Sequence, residues 1–248
     1  MPGEIRVIPL TGLPELEEGD DLAALLAEAG TRSGGLEEGD VVVVAQKVVS
    51  KAEGRIVRLD EVVPSRLAVE LAGDDGDPRQ VEVILRESAE VVRSRPPLVI
   101  ARTRHGFVCA SAGVDASNAK GPGTVILLPL DPDASAAALR DRLAELTGIA
   151  PGVIVSDSFG RAWRQGTTDI ALGVAGIVAV RDLRGTRDGR GYELRSTMIA
   201  VADEIAGAAE LVMGKDNGVP AAIVRGVEAP GDGRAADLVM PRERDLFP

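Results

Sequence analysis

Two short stretches carry residue types that metal-assisted phosphate chemistry uses. In "GVDASNA", Asp115 and Asn118 stand three apart just after an apolar run, and hard cations take carboxylate and amide oxygens. The same pair also suits an Asx-type turn, in which the side chains bond their own backbone. In "VIVSDSFGRAWRQGTTDIALG", Asp157 and Ser158 close another apolar run. A carboxylate followed by a hydroxyl at a buried strand end either offers oxygens to Mg2+ or caps the next segment. The two aspartates say more together than apart, because carboxylates on neighbouring strand ends repel unless a cation lies between them.

Other positions point to anions. "AQKVVSKAEGR" sets Gln46, Lys47 and Lys51 directly after a valine-rich run. Two lysines four apart clamp phosphates or line a solvated helix face. "VMGKDNGVP" puts Gly214 and Gly218 around Lys215. Glycines there let backbone N–H groups approach an anion, though a plain helix stop before a strand reads the same way. Arg161 and Arg164 flank Trp163, the only tryptophan. Two guanidinium forks suit phosphate or carboxylate, and the indole reads either as core, the better of the two bets, or as one wall of a ring-binding site. His105 and Cys109 read as a turn histidine and a small buried thiol. No nucleophile–base pair supports acyl-enzyme chemistry, and neither GxxxxGK[ST] nor GxGxxG occurs.

The elements that must position these residues alternate along the chain. Apolar, β-branched runs at 4–10, 40–46, 97–102, 124–130, 152–158, 177–182 and 221–226 read as strands, several of them buried on both faces. Helical spacing appears at 20–30, 77–94, 135–148 and 196–214, with Asp77 as N-cap and Pro78 at the first helical position of the second. The fold class is mixed α/β (α+β). Residues 228–248 lose this periodicity and read as a tail or linker.

Composition narrows the partners. Hydrophobic residues make up 45% and charged residues 27%, as in an ordinary globular domain. The net charge of -11 argues against nucleic acid or an anionic membrane as partner. Any anionic ligand must then be held by a few placed cations or by metal ions. One cysteine and one histidine exclude an internal disulfide and a His-rich metal site. No apolar run reaches the ~18 residues of a spanning helix, and the first residues lack a signal-peptide layout. A cytoplasmic protein is the default. From the residues alone, the reading stops at a cytosolic α/β enzyme using Mg2+ or Mn2+ and a phosphorylated ligand.

Six segments in order resemble one family: "VIPLTGLPELEEGDDL", "GDVVVVAQKVVSKAEGR", "DPRQVEVILRES", "GFVCASAGVDASNA", "VIVSDSFGRAWRQGTTDIALGVAG" and "AVADEIAGAAELVMGKDNGVPAAIVRG". Over roughly residues 4 to 228 the chain looks like a member of the coenzyme F420-0:L-glutamate ligase (F420 γ-glutamyl ligase) family. The resemblance implies mixed sheets with flanking helices, neither P-loop nor ATP-grasp, with a ligase domain at 1–228 and a tail or linker at 229–248. "RERDLFP" resembles the junction to a reductase-like domain that some relatives carry, so the chain reads as a ligase half or as a stand-alone form. The implied reaction is GTP-dependent addition of L-glutamate to coenzyme F420-0, a deazaflavin phosphodiester, through an acyl phosphate, with further glutamates γ-linked. Mg2+ or Mn2+ at two sites, K+ and a homodimer are implied with it.

Carried over by position, Pro9, Leu10, Thr11, Gly12, Gln46, Lys47, Lys51, Asn118, Met213, Gly214, Lys215 and Gly218 are expected to contact nucleotide. Asp115, Asp157 and Ser158 are the implied metal ligands. Asp157, Arg161 and Arg164 are the expected catalytic set, the arginines on their own chemistry rather than on the resemblance. Two other classes compete: a kinase-like transferase using metal and nucleotide, and a non-enzymatic acidic dimerisation module in which Asp115 and Asp157 are caps.

Overall fold

The computed structural model describes residues 3–117, 119 and 121–246, and Asn118 lies outside the described residues. The first half runs β1 (Arg6–Leu10), α1 (Leu22–Arg32), β2 (Val41–Ala45), α2 (Gln46–Ala52), β3 (Ile56–Arg58), α3 (Arg66–Ala72), α4 (Pro78–Glu87), β4 (Ser88–Arg95), β5 (Leu98–Thr103) and β6 (Val108–Ala110). It continues with β7 (Thr124–Ile126), α5 (Pro132–Thr147), β8 (Gly152–Arg161), β9 (Arg164–Ala175), β10 (Arg181–Asp182), β11 (Met198–Ile199), α6 (Val201–Met213) and β12 (Ala221–Arg225). Five strands form the main sheet in the order β1-β12-β2-β8-β9, beside a three-stranded β4-β5-β6 sheet and two ribbons, β10-β11 and β3-β7. In the main sheet β2 and β8 are parallel and the other pairings antiparallel.

The continuous apolar strands are those covered on both faces. Val41 and Val43 of β2 pack with Ile154, Leu172 and the α6 residues Ile205, Ala206 and Met213. Val42 and Val44 face the other way, onto Leu22 and Leu26 of α1 and Leu139 and Leu143 of α5. No polar position is available in such a strand, which is why it reads VVVVA rather than alternating. A third cluster joins Ala68 and Ala72 of α3, Val81 and Ile84 of α4, and Val99 and Ala101 of β5.

Several element boundaries differ from the sequence expectation. The helix expected over 77–94 starts as expected, with Asp77 accepting from the Arg79 N–H, but ends at Glu87. There Ser88 Oγ donates to the Ile84 carbonyl at 2.6 Å, and β4 takes over against β5. β7 uses only the first three residues of the 124–130 run. Of 177–182, only Arg181 and Asp182 form a strand, because the preceding backbone bonds the C-terminal segment: Val178 N–H to Ala229 O at 2.9 Å and Gly233 N–H to Ile177 O at 2.8 Å. Residues 229–246, expected as a tail or linker, thus place Ala229 and Ala235 in the core. The helix expected at 196 begins at Val201, since Met198 and Ile199 pair with β10.

Trp163 is not in the core. β8 pairs with β2 only as far as Ser156, whereas its pairing with β9 runs on to Arg161 and Arg164. The two strands leave the sheet as a ribbon whose turn holds Trp163 at φ 63, 86% exposed.

Candidate active site

A cleft of about 730 Å3 opens where β2 and β8 end side by side. The C-terminal edge of parallel strands is where α/β sheets place ligands, because side chains of consecutive loops converge there, and the volume suits a small-molecule site. From β2 the chain turns directly into α2, so Gln46, Lys47 and Lys51 line one wall. From β8 come Ser156, Asp157 and Ser158, facing Asp169 of β9 and Glu210 and Met213 of α6. The loop after α6 adds Gly214, Lys215 and Gly218, and Glu15 closes the remaining side.

Two cations of the cleft are paired within the protein. Lys47 Nζ lies 2.7 Å from the Asp115 carboxylate and donates to Ser117 Oγ at 2.6 Å. Lys51, almost wholly buried, pairs with Glu15. Asp115 also accepts the Ser117 N–H at 2.7 Å, which is the Asx turn allowed by its sequence. Burial pushes the Asp115 carboxyl up, but Lys47 and Ser117 outweigh it and hold the group below its ordinary range.

Asp157 is the opposite case. Burial is the main cause that raises its carboxyl to about 7; Asp169 and Asp115 add like charge, while the Ser158 N–H and Lys47 oppose them. Gln46, 1% exposed, accepts from Ser50 Oγ at 2.9 Å, and its buried Nε2 has no hydrogen-bond partner among the described residues. A buried amide donor left over beside a cleft has room for an acceptor from a ligand. Burial and the Asp157 charge lift the Cys109 thiol to about 12, so it behaves as an inert packing group.

Known proteins decide the family. The F420-0:Gamma-glutamyl ligase family model matches residues 12–226. The chain is 48% identical to the coenzyme F420:L-glutamate ligase of Methanopyrus kandleri, over 98% of this chain and 97% of that protein. It is 45% identical to the protein of the same name from Methanothermobacter thermautotrophicus, over 98% of each chain. The Archaeoglobus fulgidus ligase is 44% identical over 98% of this chain and 96% of its own. The chain belongs to the F420-0:gamma-glutamyl ligase family. It is therefore an enzyme of the ligase class, and its mixed sheets with flanking helices are consistent with that family's fold.

Of the positions singled out in the sequence of this ligase, Gln46, Lys47, Lys51, Asp157, Ser158, Met213, Gly214, Lys215 and Gly218 all line one cleft, and Asp115 joins them through Lys47. Pro9, Leu10, Thr11 and Gly12 do not line it. Pro9 and Leu10 pair with β12, and the Thr11 and Gly12 carbonyls accept from Arg32 Nη2, so the lining begins at Leu13. Arg161 and Arg164 stand exposed on the ribbon, outside the lining. Sequence reasoning passed over Ser156, Asp169, Glu210 and Glu15. For Asp169 the usable signal was the serine–aspartate–serine alternation on β8, which needs a polar partner on the facing strand.

Among the described residues, no group of three or more His, Cys, Asp or Glu is arranged to hold a metal ion. The donor chemistry nevertheless fits a hard divalent cation. Asp157, Ser156, Ser158 and Asp115 offer only oxygens, and the Asp157 carboxylate, opposed by burial and by two like charges, would be relieved by a cation. Asp115 would join such a site in exchange for its pairing with Lys47. Among the described residues no helix is long and apolar enough to cross a membrane.

Proposed function

We propose that this chain catalyses the GTP-dependent ligation of L-glutamate to coenzyme F420-0, forming an amide bond and then γ-linked additions. The observation that carries the reading is the cleft, in which Lys47, Lys51 and Lys215 stand with Asp157 and Ser158 at the ends of two parallel strands. Coenzyme F420:L-glutamate ligase is also the name its relatives bear.

In this reading a terminal carboxylate oxygen of the coenzyme attacks the γ-phosphorus of GTP. The bond from that phosphorus to the bridging oxygen breaks, and GDP leaves. The amine of L-glutamate then attacks the acyl carbon, phosphate departs, and the surplus amine proton passes to water. Lys47 and Lys51 hold phosphate oxygens, exchanging Asp115 and Glu15 for the nucleotide. The Gly214–Gly218 loop brings backbone N–H groups beside Lys215. Asp157, Ser158 and Asp115 would hold Mg2+ or Mn2+ at two sites, with K+ nearby. When bound, such ions neutralise charge on the phosphate oxygens as they change partners. Orientation and charge stabilisation are then the protein's main contribution. Arg161 and Arg164, exposed on the ribbon beyond the cleft, would take part by holding substrate phosphate. A cytoplasmic homodimer completes the reading.

The test is phosphate release from GTP with Mn2+, assayed with each substrate withheld in turn. The reading requires release to depend on both L-glutamate and the deazaflavin. GDP formation without glutamate, with the phosphoryl group staying on the deazaflavin and no phosphate released, would make the chain a kinase-like transferase. No stabilisation by GTP with Mn2+ in a thermal melt would leave only a binding module. Sedimentation decides the dimer.

A further inference from the structure

We propose that Asp169 is the positioning residue that turns the Ser158 and Ser156 hydroxyls into cation ligands, an inference that rests on the metal-assisted reading above. Asp169 stands directly opposite Ser158 in the β8–β9 ladder, and Ser156 lies two residues earlier, on the same face of β8. One carboxylate reaches both hydroxyls. Ser158 Oγ donates to Oδ1 at 2.6 Å, and Ser156 Oγ donates to Oδ2 at 2.9 Å. Asp169 is itself held: it is 5% exposed, and its N–H donates to Glu210 Oε2 at 3.2 Å.

The direction of those bonds sets what the serines can do. An ionised carboxylate only accepts, whereas a hydroxyl carries one proton and two lone pairs. Both serine protons are therefore committed to Asp169, and the lone pairs of both oxygens are left for the cleft that the two residues line. Without Asp169 a free hydroxyl would rotate and give its proton to the nearest acceptor. Asp169 thus keeps the proton of each serine turned away from the cleft that its oxygen lines. Groups that orient ligands in this way tune metal affinity by about 10- to 100-fold. Asp115 does not take this part: its oxygens bond Lys47 and Ser117, whereas the β8 serines bond Asp169.

The experiment titrates Mn2+ into the full chain with GDP present, reading free Mn2+ by electron paramagnetic resonance, so turnover plays no part. Asp169→Asn keeps the shape but places an N–H against one hydroxyl, which must then turn its own proton away. We expect Mn2+ affinity to fall about 10- to 100-fold in Asp169→Asn. Ser156→Ala/Ser158→Ala should lose affinity likewise, and Ser158→Thr should retain it. Added to the double alanine background, Asp169→Asn should cost less than about threefold, because the hydroxyls it orients are gone. Asp169→Ser replaces it in the cycle if the asparagine variant does not fold. Wild-type affinity in the Asp169 variant overturns the proposal. So does a full additive loss in the double alanine background, which would mean that Asp169 acts on the ion by its own charge. A wild-type chain that does not bind Mn2+ overturns the metal reading and this proposal together, whereas binding that is indifferent to Asp169 removes only the proposal.

Discussion

Replacing Asp157 with asparagine should stabilise the fold at alkaline pH while ending turnover. Burial, with Asp169 and Asp115 as like charges, lifts this carboxyl from 3.8 to about 7. In the unfolded chain it ionises near its ordinary value. Below about pH 4 it is protonated in both states, and folding does not feel it. Between about pH 4 and 7 the unfolded state has lost the proton and the folded state has kept it. The unfolded state then binds fewer protons, so stability falls as pH rises, by about 1.4 kcal/mol per pH unit. Above about pH 7 the whole penalty, on the order of 4 kcal/mol, is in place. Asparagine has no charge to ionise and escapes it. Urea unfolding in EDTA, run from about pH 4.5 to 8.5, should show Asp157→Asn gaining on the wild type as pH rises, from little difference to several kcal/mol. For a chain of this size that is on the order of 10 °C in Tm. Mn2+ with GTP should narrow the gap by stabilising only the wild type. A stability difference that does not change with pH would refute the reasoning, as would near-normal turnover by the variant.

Three further outcomes follow from contacts in the fold. Arg225→Met should cost about 3–5 kcal/mol in urea unfolding, because it strands Asp40, 1% exposed and held by both Arg225 Nε and Nη2 at 2.8 Å; Asp40→Asn in the same chain should recover part of the loss. Lys47→Ala should raise the KM for GTP at least about tenfold, the cost of one charge-assisted contact, with the fold intact by circular dichroism; an unchanged KM would remove Lys47 from the nucleotide site. Gly173→Ala would place a Cβ 2.0 Å from the Pro132 carbonyl, so thermal melting should report a loss of about 2–3 kcal/mol from α5 being pushed off β9.

What could be read from the sequence was what depends on neighbours along the chain. Val41 to Val44 announce a strand covered on both faces, and the Asp77–Pro78 pair announces a helix start, because periodicity and capping are local. The end of α4 was hidden because Val91 continues the apolar spacing past Ser88, and only pairing with β5 makes 88–95 a strand. Lys47 and Asp157 could be singled out because one comes just after β2 and the other closes the apolar part of β8, two strands that run parallel toward the same edge. Asp169 was not, since its partner Ser158 is eleven positions away and the distance is closed by hairpin register. Trp163 stayed open between core and ring-binding face, and nothing local says that β8 and β9 outrun β2 and carry it out into solvent. The turn at Pro9–Gly12 comes into the reading by resemblance alone, and in the fold its Thr11 and Gly12 carbonyls accept from Arg32, a partner 20 or more positions away.

α6, which lines the cleft, and α5, which does not, together replace a missing neighbour strand. β9 is the edge of the main sheet, and an edge strand leaves N–H groups unpaired and open to another chain. Three of these are accepted by helix carboxylates: Asp169 N–H by Glu210 at 3.2 Å, Ala171 N–H by Asp203 at 2.9 Å and Val174 N–H by Asp133 at 2.9 Å. Burial raises the Asp203 carboxyl even though the Ala171 N–H favours its charge. Such acceptors hold α6 in register with β9 as well as blocking the edge. That register decides where Asp169, Glu210 and Met213 stand relative to Asp157. Part of the acidic excess is therefore structural, which reconciles a net charge of -11 with the phosphate site proposed above. The carboxylates on β9 and α6 bond backbone and hydroxyls, and the cations Lys47 and Lys51 are held in the pairs that the proposed nucleotide would exchange.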